Sequence, residues 1–528
     1  MKKKSRILAL LLCGLMVLSS CSKAPAEQGS DKPTGGQNEP PKQEQTSEPK
    51  TGSAPAGKDD LVVAIGTEPS SLDPHNVNMV TAFMIGQHVL DRLFRADENY
   101  NITPSLATEY EWVDDTTLRV KIRDDVDFSN GQHMTADDVV YSIQRACTMS
   151  QSAATFEYFD GDATAKVDDY TVDIKLKSPY PNAMRVLAGG RGAIVCKAAI
   201  DEMGEDAYGR TPVGSGKFIV TNWSSGDRIE LTRNDNYWGE KPAYKDLTFR
   251  IITENASRTI EVETGGADIA FNVTADDVDR LESNPDVNVT KGTSSTMNHI
   301  VINTVNFDTL KNDKVRQAMH MALDMNAIVQ VAFKGYATVA SSMAPDSATE
   351  FTAVGPTQYD PEGAKALIAD SGFDTSTPIT LQIYKNEQIQ AMAEIIANMW
   401  TAIGLNVNIE ILDRATLVTN NSSGQTPMCI TTVTASDGNI ESVFRQWEKP
   451  GTGFTDDQDL IAKIKAAKGI MDDGERKAAY AELQQECWDR NVVIPIAVAQ
   501  NIFATRSYIQ GFTFHPDNTP DLSVITFG

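Results

Sequence analysis

Six histidines are the side chains best suited to metal or proton chemistry, and they are scattered. His75, His88, His133, His299, His320 and His515 share no ligand spacing, and no His-Glu-x-x-His puts two of them on one helical face. Each reads as a core or surface residue, so no resident metal or cofactor is expected. A ligand that carries its own metal stays compatible, because a chelate can be gripped through its own carboxylates. Val213 stands where a G-x-S-x-G elbow around Ser215 needs glycine. The same stretch is no phosphate loop: Thr211 replaces the first glycine of G-x-x-x-x-G-K, and Phe218 follows Lys217 where Ser or Thr is required. Ser47 and Lys50 have the S-x-x-K spacing of penicillin-binding enzymes, but in a linker that preorganises neither. Cys147, Cys196, Cys429 and Cys487 form no C-x-x-C, which leaves buried free thiols as the expectation. No catalytic constellation is legible in these residues.

The elements around these residues begin with a leader. Lys2, Lys3, Lys4 and Arg6 precede an apolar run, residues 7–18, of signal-peptide length and too short to span a bilayer comfortably. It ends Leu18-Ser19-Ser20-Cys21, which resembles the lipobox of bacterial lipoproteins. Cleavage there leaves Cys21 as a lipid-bearing N-terminus, whereas Cys13 follows Leu12, which is not small. Residues 22–58 are rich in Pro, Gln, Glu, Gly, Lys and Ser and read as a flexible tether. The formal charge of −25 includes the basic leader, so the rest is more acidic still. That argues against nucleic acid and anionic membrane surfaces as partners.

The folded part starts near residue 59, and its length argues for more than one lobe. Residues 61–65 read as a buried strand and 80–94 as an amphipathic helix. Leu118, Val120 and Ile122 alternate with Arg119, Lys121 and Arg123 as a half-buried strand. Asp124-Asp125 and Ser129-Asn130-Gly131 then break the chain. Thr135 and Asp138 have capping-box spacing ahead of Val139, Val140 and Ile143. Residues 274–278 repeat that cap as an independent helix start. Alternating strands are expected at 168–177, 247–251, 381–385, 404–411 and 492–499, with a helix over 392–400. The fold class is α/β.

The order of these pieces resembles one family. Residues 107–146 run Ala-Thr-Glu-Tyr-Glu-Trp, a basic alternating strand, Arg-Asp-Asp-Val-Asp-Phe, a glycine turn and Thr-Ala-Asp-Asp-Val-Val-Tyr-Ser. That is similar to the signature segment of the extracellular solute-binding proteins of peptide-type ABC importers, which include oligopeptide, dipeptide and nickel binders. Residues 211–218, 231–239, 315–324 and 359–367 resemble further segments of the family, so the likeness runs from Asp59 to the C-terminus. It implies a two-lobed periplasmic-binding-protein type II-like fold with a hinge and an extra subdomain. The implied boundaries are a signal peptide at 1–20, a tether at 21–58, lobe I at 59–99, 204–299 and 500–528, the subdomain at 100–203 and lobe II at 300–499. It also implies a lipid-anchored, extracytoplasmic monomer that captures oligopeptides or similar solutes by hinge closure and delivers them to a permease with ATPase partners. The alternatives are a nickel-chelate or oligosaccharide binder of the same family, or a peptide-sensing receptor.

The family meets a peptide's ammonium with an Asp after a Gly-Trp pair, near residue 430. Here Val433 replaces the Trp, Ser436 takes the carboxylate position by ungapped spacing, and Asp437 follows it. Either Asp437 is the anchor or the peptide chemistry has changed. Dipeptide binders place an Arg where this chain has Ile383, beside Tyr384 and Lys385; Lys385 serves a carboxylate less rigidly, so a longer ligand is expected. The segment after the Pro-x-x-Leu-Asp-Pro opening, residues 69–74, lines the cleft in the family and nominates Asn76 and Met79. The candidate ligand contacts are therefore Asp437, Ser436, Lys385, Tyr384, Asn76 and Met79.

Overall fold

Two long strands, Val287–Ile302 and Val493–Arg506, run side by side through the main sheet and belong to both of its halves. The computed structural model describes residues 50–449 and 454–528. The signal segment, Cys21 and the tether up to residue 49 lie outside the described residues. Residues 287–293 pair antiparallel with 500–506. Residues 297–301 pair with 493–498 on one side and with Met428–Thr434 on the other, and the register slips between Thr293 and Met297. On one side of the slip lie the strands starting at Ile269, Asp60, Asp246, Arg228 and Phe218. On the other lie those starting at Met428, Pro378 and Asn406. Asp60–Ile65 has parallel neighbours on both edges, and Leu61, Val63, Ala64 and Ile65 are at most 1% exposed, which explains its unbroken apolar run.

A separate antiparallel sheet orders Ala107–Asp114, Thr117–Ile122, Thr171–Lys175 and Ala165–Asp168. Leu118, Val120 and Ile122 are buried in it, while Arg119 reaches Asp173 on the next strand at 2.7 Å. The helix Ala136–Thr148 opens with the expected capping box, the Thr135 backbone N–H donating to Asp138 at 3.0 Å. Val139 and Ile143 then pack on the sheet. In lobe II the helix Glu387–Ala402 buries Ile389, Met392, Ile396 and Trp400 beneath Leu381 and Ile383. The architecture is the mixed α/β fold with an extra subdomain sheet.

Some expectations change. The helix expected over 80–94 stops at Gly86, because the next carbonyls are claimed by another strand: His88 accepts from the Phe218 N–H at 2.8 Å and Val89 from the Gly216 N–H at 2.9 Å. The tether expected through residue 58 is docked from Lys50 onward, whose ammonium donates to the carbonyls of Glu282, Asn284 and Val287. The lobe boundaries expected at 299/300 and 499/500 fall inside two continuous strands, which stay paired with each other and slip in register at 294–296. The second cap begins with a 3-10 turn, Ala275–Asp277, and Thr274 donates to Asp277 at 2.8 Å. Cys196, Cys429 and Cys487 are buried free thiols, and free Cys147 is half-buried.

Candidate functional site

A cavity of about 470 Å³ lies where the register between the two long strands slips. Ser294, Ser295, Thr296 and Asn298 of the first strand and Ala499 and Asn501 of the second line it. Lobe I adds Asn78, Phe83, Arg92 and residues 516–519, and the subdomain adds Arg191; lobe II adds Tyr384, Asn386, Thr432, Thr434, Ser436 and Asp437. A second chamber of about 440 Å³ adjoins it through the shared walls Tyr384, Thr432, Thr434 and Ser436. A larger open trough of about 890 Å³, between Arg316 and Trp488, shares no lining residue with either. Walls from both halves and a floor at the strand crossing make the first cavity the one whose shape changes if the lobes rotate.

Asp437 is placed by its neighbours in sequence. The Ala435 N–H donates to the Ser295 carbonyl at 2.9 Å, tying the end of Met428–Thr434 to the strand crossing. Asp437 then takes a left-handed conformation, φ 53°, which Asp tolerates better than most residues. Gly438 follows at φ 70°, and a Cβ there would lie 2.5 Å from the Tyr100 ring, so only glycine lets the loop approach. Gly189 comes equally close from the other side: a Cβ on it would lie 2.8 Å from the Asp437 carboxylate. That carboxylate accepts no hydrogen bond from a described residue. Burial raises its pKa and Asp517 adds to the rise, against the opposing charges of Arg191, Arg92 and Arg185. A half-buried carboxylate without a donor, on the wall of a cavity, is a ready partner for a ligand ammonium.

The cations are held by other partners and keep capacity to spare. Arg92 donates one hydrogen bond, from Nη1 to the Ala188 carbonyl at 3.0 Å; burial first, and then Arg95, lower its pKa. Arg191 lies over the Phe83 ring at 4.9 Å and donates to the Gln151 carbonyl and the Asn78 amide oxygen. Arg185 donates to the backbone carbonyls of Tyr100 and Asp437. Burial alone would raise Asp517, but the hydrogen bond and charge of His515 at 2.5 Å bring it below the usual carboxylate range. Arg92, Arg191, Asp437 and Asp517 thus line one cavity, a balance suited to a ligand carrying both signs of charge.

The model of the bacterial extracellular solute-binding proteins, family 5 (middle), matches residues 101–454. The chain belongs to this family. As a family-5 protein it is an extracytoplasmic, non-enzymatic solute-binding protein of an ABC importer, the class whose partners are a permease and its ATPase. It is 27% identical over 479 residues to the glutathione-binding protein GsiB of Salmonella paratyphi A, covering 87% of this chain and 92% of that one. Its fold is similar to the substrate-binding protein CtaP of Listeria monocytogenes (TM-score 0.81, 23% identity, 89% of this chain and 100% of that one). It is also similar to the oligopeptide-binding protein AppA of Bacillus subtilis, solved with a nonapeptide (TM-score 0.72, 22% identity, 91% and 100%).

Of the residues nominated from the sequence of this family-5 protein, Asp437, Ser436 and Tyr384 line the cavity. Lys385, Asn76 and Met79 do not; alternation explains Lys385 and Met79, and Asn76 belongs to the turn before the extended stretch. Tyr384 ends the strand Pro378–Tyr384 facing the cavity, so Lys385 turns out to solvent and Asn386 turns back in. Asn78 and Val80 line the cavity on either side of the extended Met79, and Asn76 is exposed. Arg92, Arg191 and Asp517 were not anticipated. The run Gly189-Gly190-Arg191-Gly192 was the available signal, since clustered glycines mark places where backbone meets other groups closely.

A polar contact also joins the subdomain to lobe II beside the cavity. Glu441, 4% exposed, accepts from the Tyr180 hydroxyl at 3.0 Å and from the Asn182 amide at 2.6 Å. Burial raises the Glu441 pKa against the lowering effects of Asn182, Lys468 and Tyr180.

Proposed function

We propose that this family-5 protein captures a peptide-like solute, a short peptide or a glutathione-like molecule, by closing its lobes around it, and hands it to the permease of its importer. The observation that carries the reading is the half-buried Asp437 carboxylate, on the cavity wall without a hydrogen-bond donor among the described residues. A free α-amino group supplies both the charge and the donors. An oligosaccharide supplies no cation, and a nickel chelate is gripped through its carboxylates and leaves Asp437 unmatched. Kinship with proteins named for glutathione supports a ligand built from amino acids. Lipid attachment through Cys21, with the tether holding a monomer at the cell membrane, belongs to the same reading.

The test is calorimetry with trialanine and N-acetyl-trialanine on the natural protein and on Asp437→Asn. Removing one partner of a buried charge pair costs roughly 3–5 kcal/mol, or about two to three and a half decades in affinity. Asp437→Asn should weaken trialanine by that much and the acetylated peptide far less. An interaction energy near zero in this cycle would remove Asp437 as the ammonium anchor.

A further inference from the structure

We propose that the second chamber is an anion subsite in which Arg414 and Arg445, with His299 beside them, hold a carboxylate of the bound solute. The inference rests on the cavity being the solute site. The chain carries a formal charge of −25, yet the charged side chains lining this chamber are Arg414, Arg445 and Lys449, and no Asp or Glu among the described residues lines it. Residues 450–453, Pro-Gly-Thr-Gly, contain none either.

Arginines held elsewhere in the fold are paired: Arg145 meets Asp73 at 2.6 Å and Arg476 meets Glu350 at 2.9 Å. The half-buried Arg445 guanidinium meets no carboxylate and donates no hydrogen bond among the described residues, and the exposed Arg414 lies over the face of Tyr384, at 5.5 Å. His299 is 5% exposed, and its Nδ1 has no hydrogen-bond partner. Burial lowers its pKa to about 4, so at neutral pH the ring is uncharged and offers one N–H. Two arginines without a carboxylate partner and a buried imidazole nitrogen without a hydrogen-bond partner, lining one chamber, form a set that an anion completes.

The shared walls Tyr384, Thr434 and Ser436 let one ligand reach from Asp437 into this chamber. The solute is then dipolar, its ammonium at Asp437 and a carboxylate at the arginines. A C-terminus and an acidic side chain supply the same chemistry.

The first arm of the test uses no peptide. Glutarate should raise the melting temperature of the natural protein saturably, and the uncharged glutaramide should not. Arg445→Gln should weaken the glutarate effect about tenfold, as expected for loss of one charge-assisted contact. The Arg414→Gln/Arg445→Gln double variant should abolish it, and Asp437→Asn should keep it. No stabilisation of the natural protein by glutarate, or equal stabilisation of the double variant, overturns the subsite. The second arm compares tetraalanine, its C-terminal amide and the amide of Ala-Ala-Glu-Ala. Affinity lost on amidation and not restored by Glu assigns the carboxylate to the C-terminus; restoration by Glu assigns it to a side chain. If glutarate binds through the arginines and no peptide binds, the subsite stands and the peptide reading fails.

Discussion

Glu441 offers a perturbation whose outcome separates two kinds of closure. Rotating lobe II away from the subdomain breaks both of its hydrogen bonds, to Tyr180 at 3.0 Å and to Asn182 at 2.6 Å. Each bond to a charged acceptor contributes about 1.5–3 kcal/mol. Burial of the carboxylate offsets part of this, as its raised pKa records. The net preference for the closed form is about 2–3 kcal/mol, so Glu441→Ala should favour opening by about thirty- to a hundred-and-fortyfold. Glu441→Gln can accept from Asn182 through its carbonyl and donate to Tyr180 through its amide, without burying a charge. It should hold the lobes at least as firmly as Glu.

The sign of the pH effect follows. A carboxyl whose pKa is raised in the closed form binds a proton more readily there than in the open form. Closure of the natural protein is therefore favoured as pH falls toward that raised value, and closure of Glu441→Gln is not. Hydrogen–deuterium exchange of the unliganded protein, read over residues 180–188 and 436–444, measures the opening directly. Faster exchange in Glu441→Ala alone is the expected result. Unchanged exchange in Glu441→Ala would show that the contact does not restrain the lobes, and a Gln variant as open as Ala would show that charge, not hydrogen bonding, holds them.

Three further outcomes follow from the same geometry. Because burial raises the Asp437 pKa and a ligand ammonium would lower it, binding of trialanine should release a proton, and affinity should fall as pH drops through the raised value. Calorimetry in two buffers of different ionisation enthalpy should show the proton with trialanine and not with its acetylated analogue. Gly189→Ala places a methyl 2.8 Å from the Asp437 carboxylate, so it should weaken trialanine by about tenfold or more while leaving the melting temperature nearly unchanged. Cys21→Ala should block lipid attachment, and a variant that still partitions into detergent as a processed lipoprotein would refute that assignment.

Local features were the most legible in the sequence. The capping box at Thr135 and Asp138 and the alternation of Leu118, Val120 and Ile122 depend on neighbours a few residues away, and both formed as read. The helix over 80–94 failed because its second half pairs with residues 216–218, a long-range contact that periodicity does not encode. The lobe boundaries were blurred for a related reason: a strand that continues from one lobe into the other carries no break in composition. Asp437 was reachable only through the family resemblance, since an Asp before a Gly is otherwise an ordinary turn. Arg92 and Arg191 come from segments far apart in sequence and become a site only when the subdomain folds back beside the strand crossing.

Native mass spectrometry of the protein purified under mild conditions, before and after acid release, tests the capture of a peptide-like solute most directly. The account predicts a bound mass that fragments as a peptide or glutathione-like molecule with a free amino group, at lower occupancy in Asp437→Asn. A released sugar, a metal complex free of amino-acid fragments, or a ligand whose occupancy ignores Asp437→Asn would contradict it.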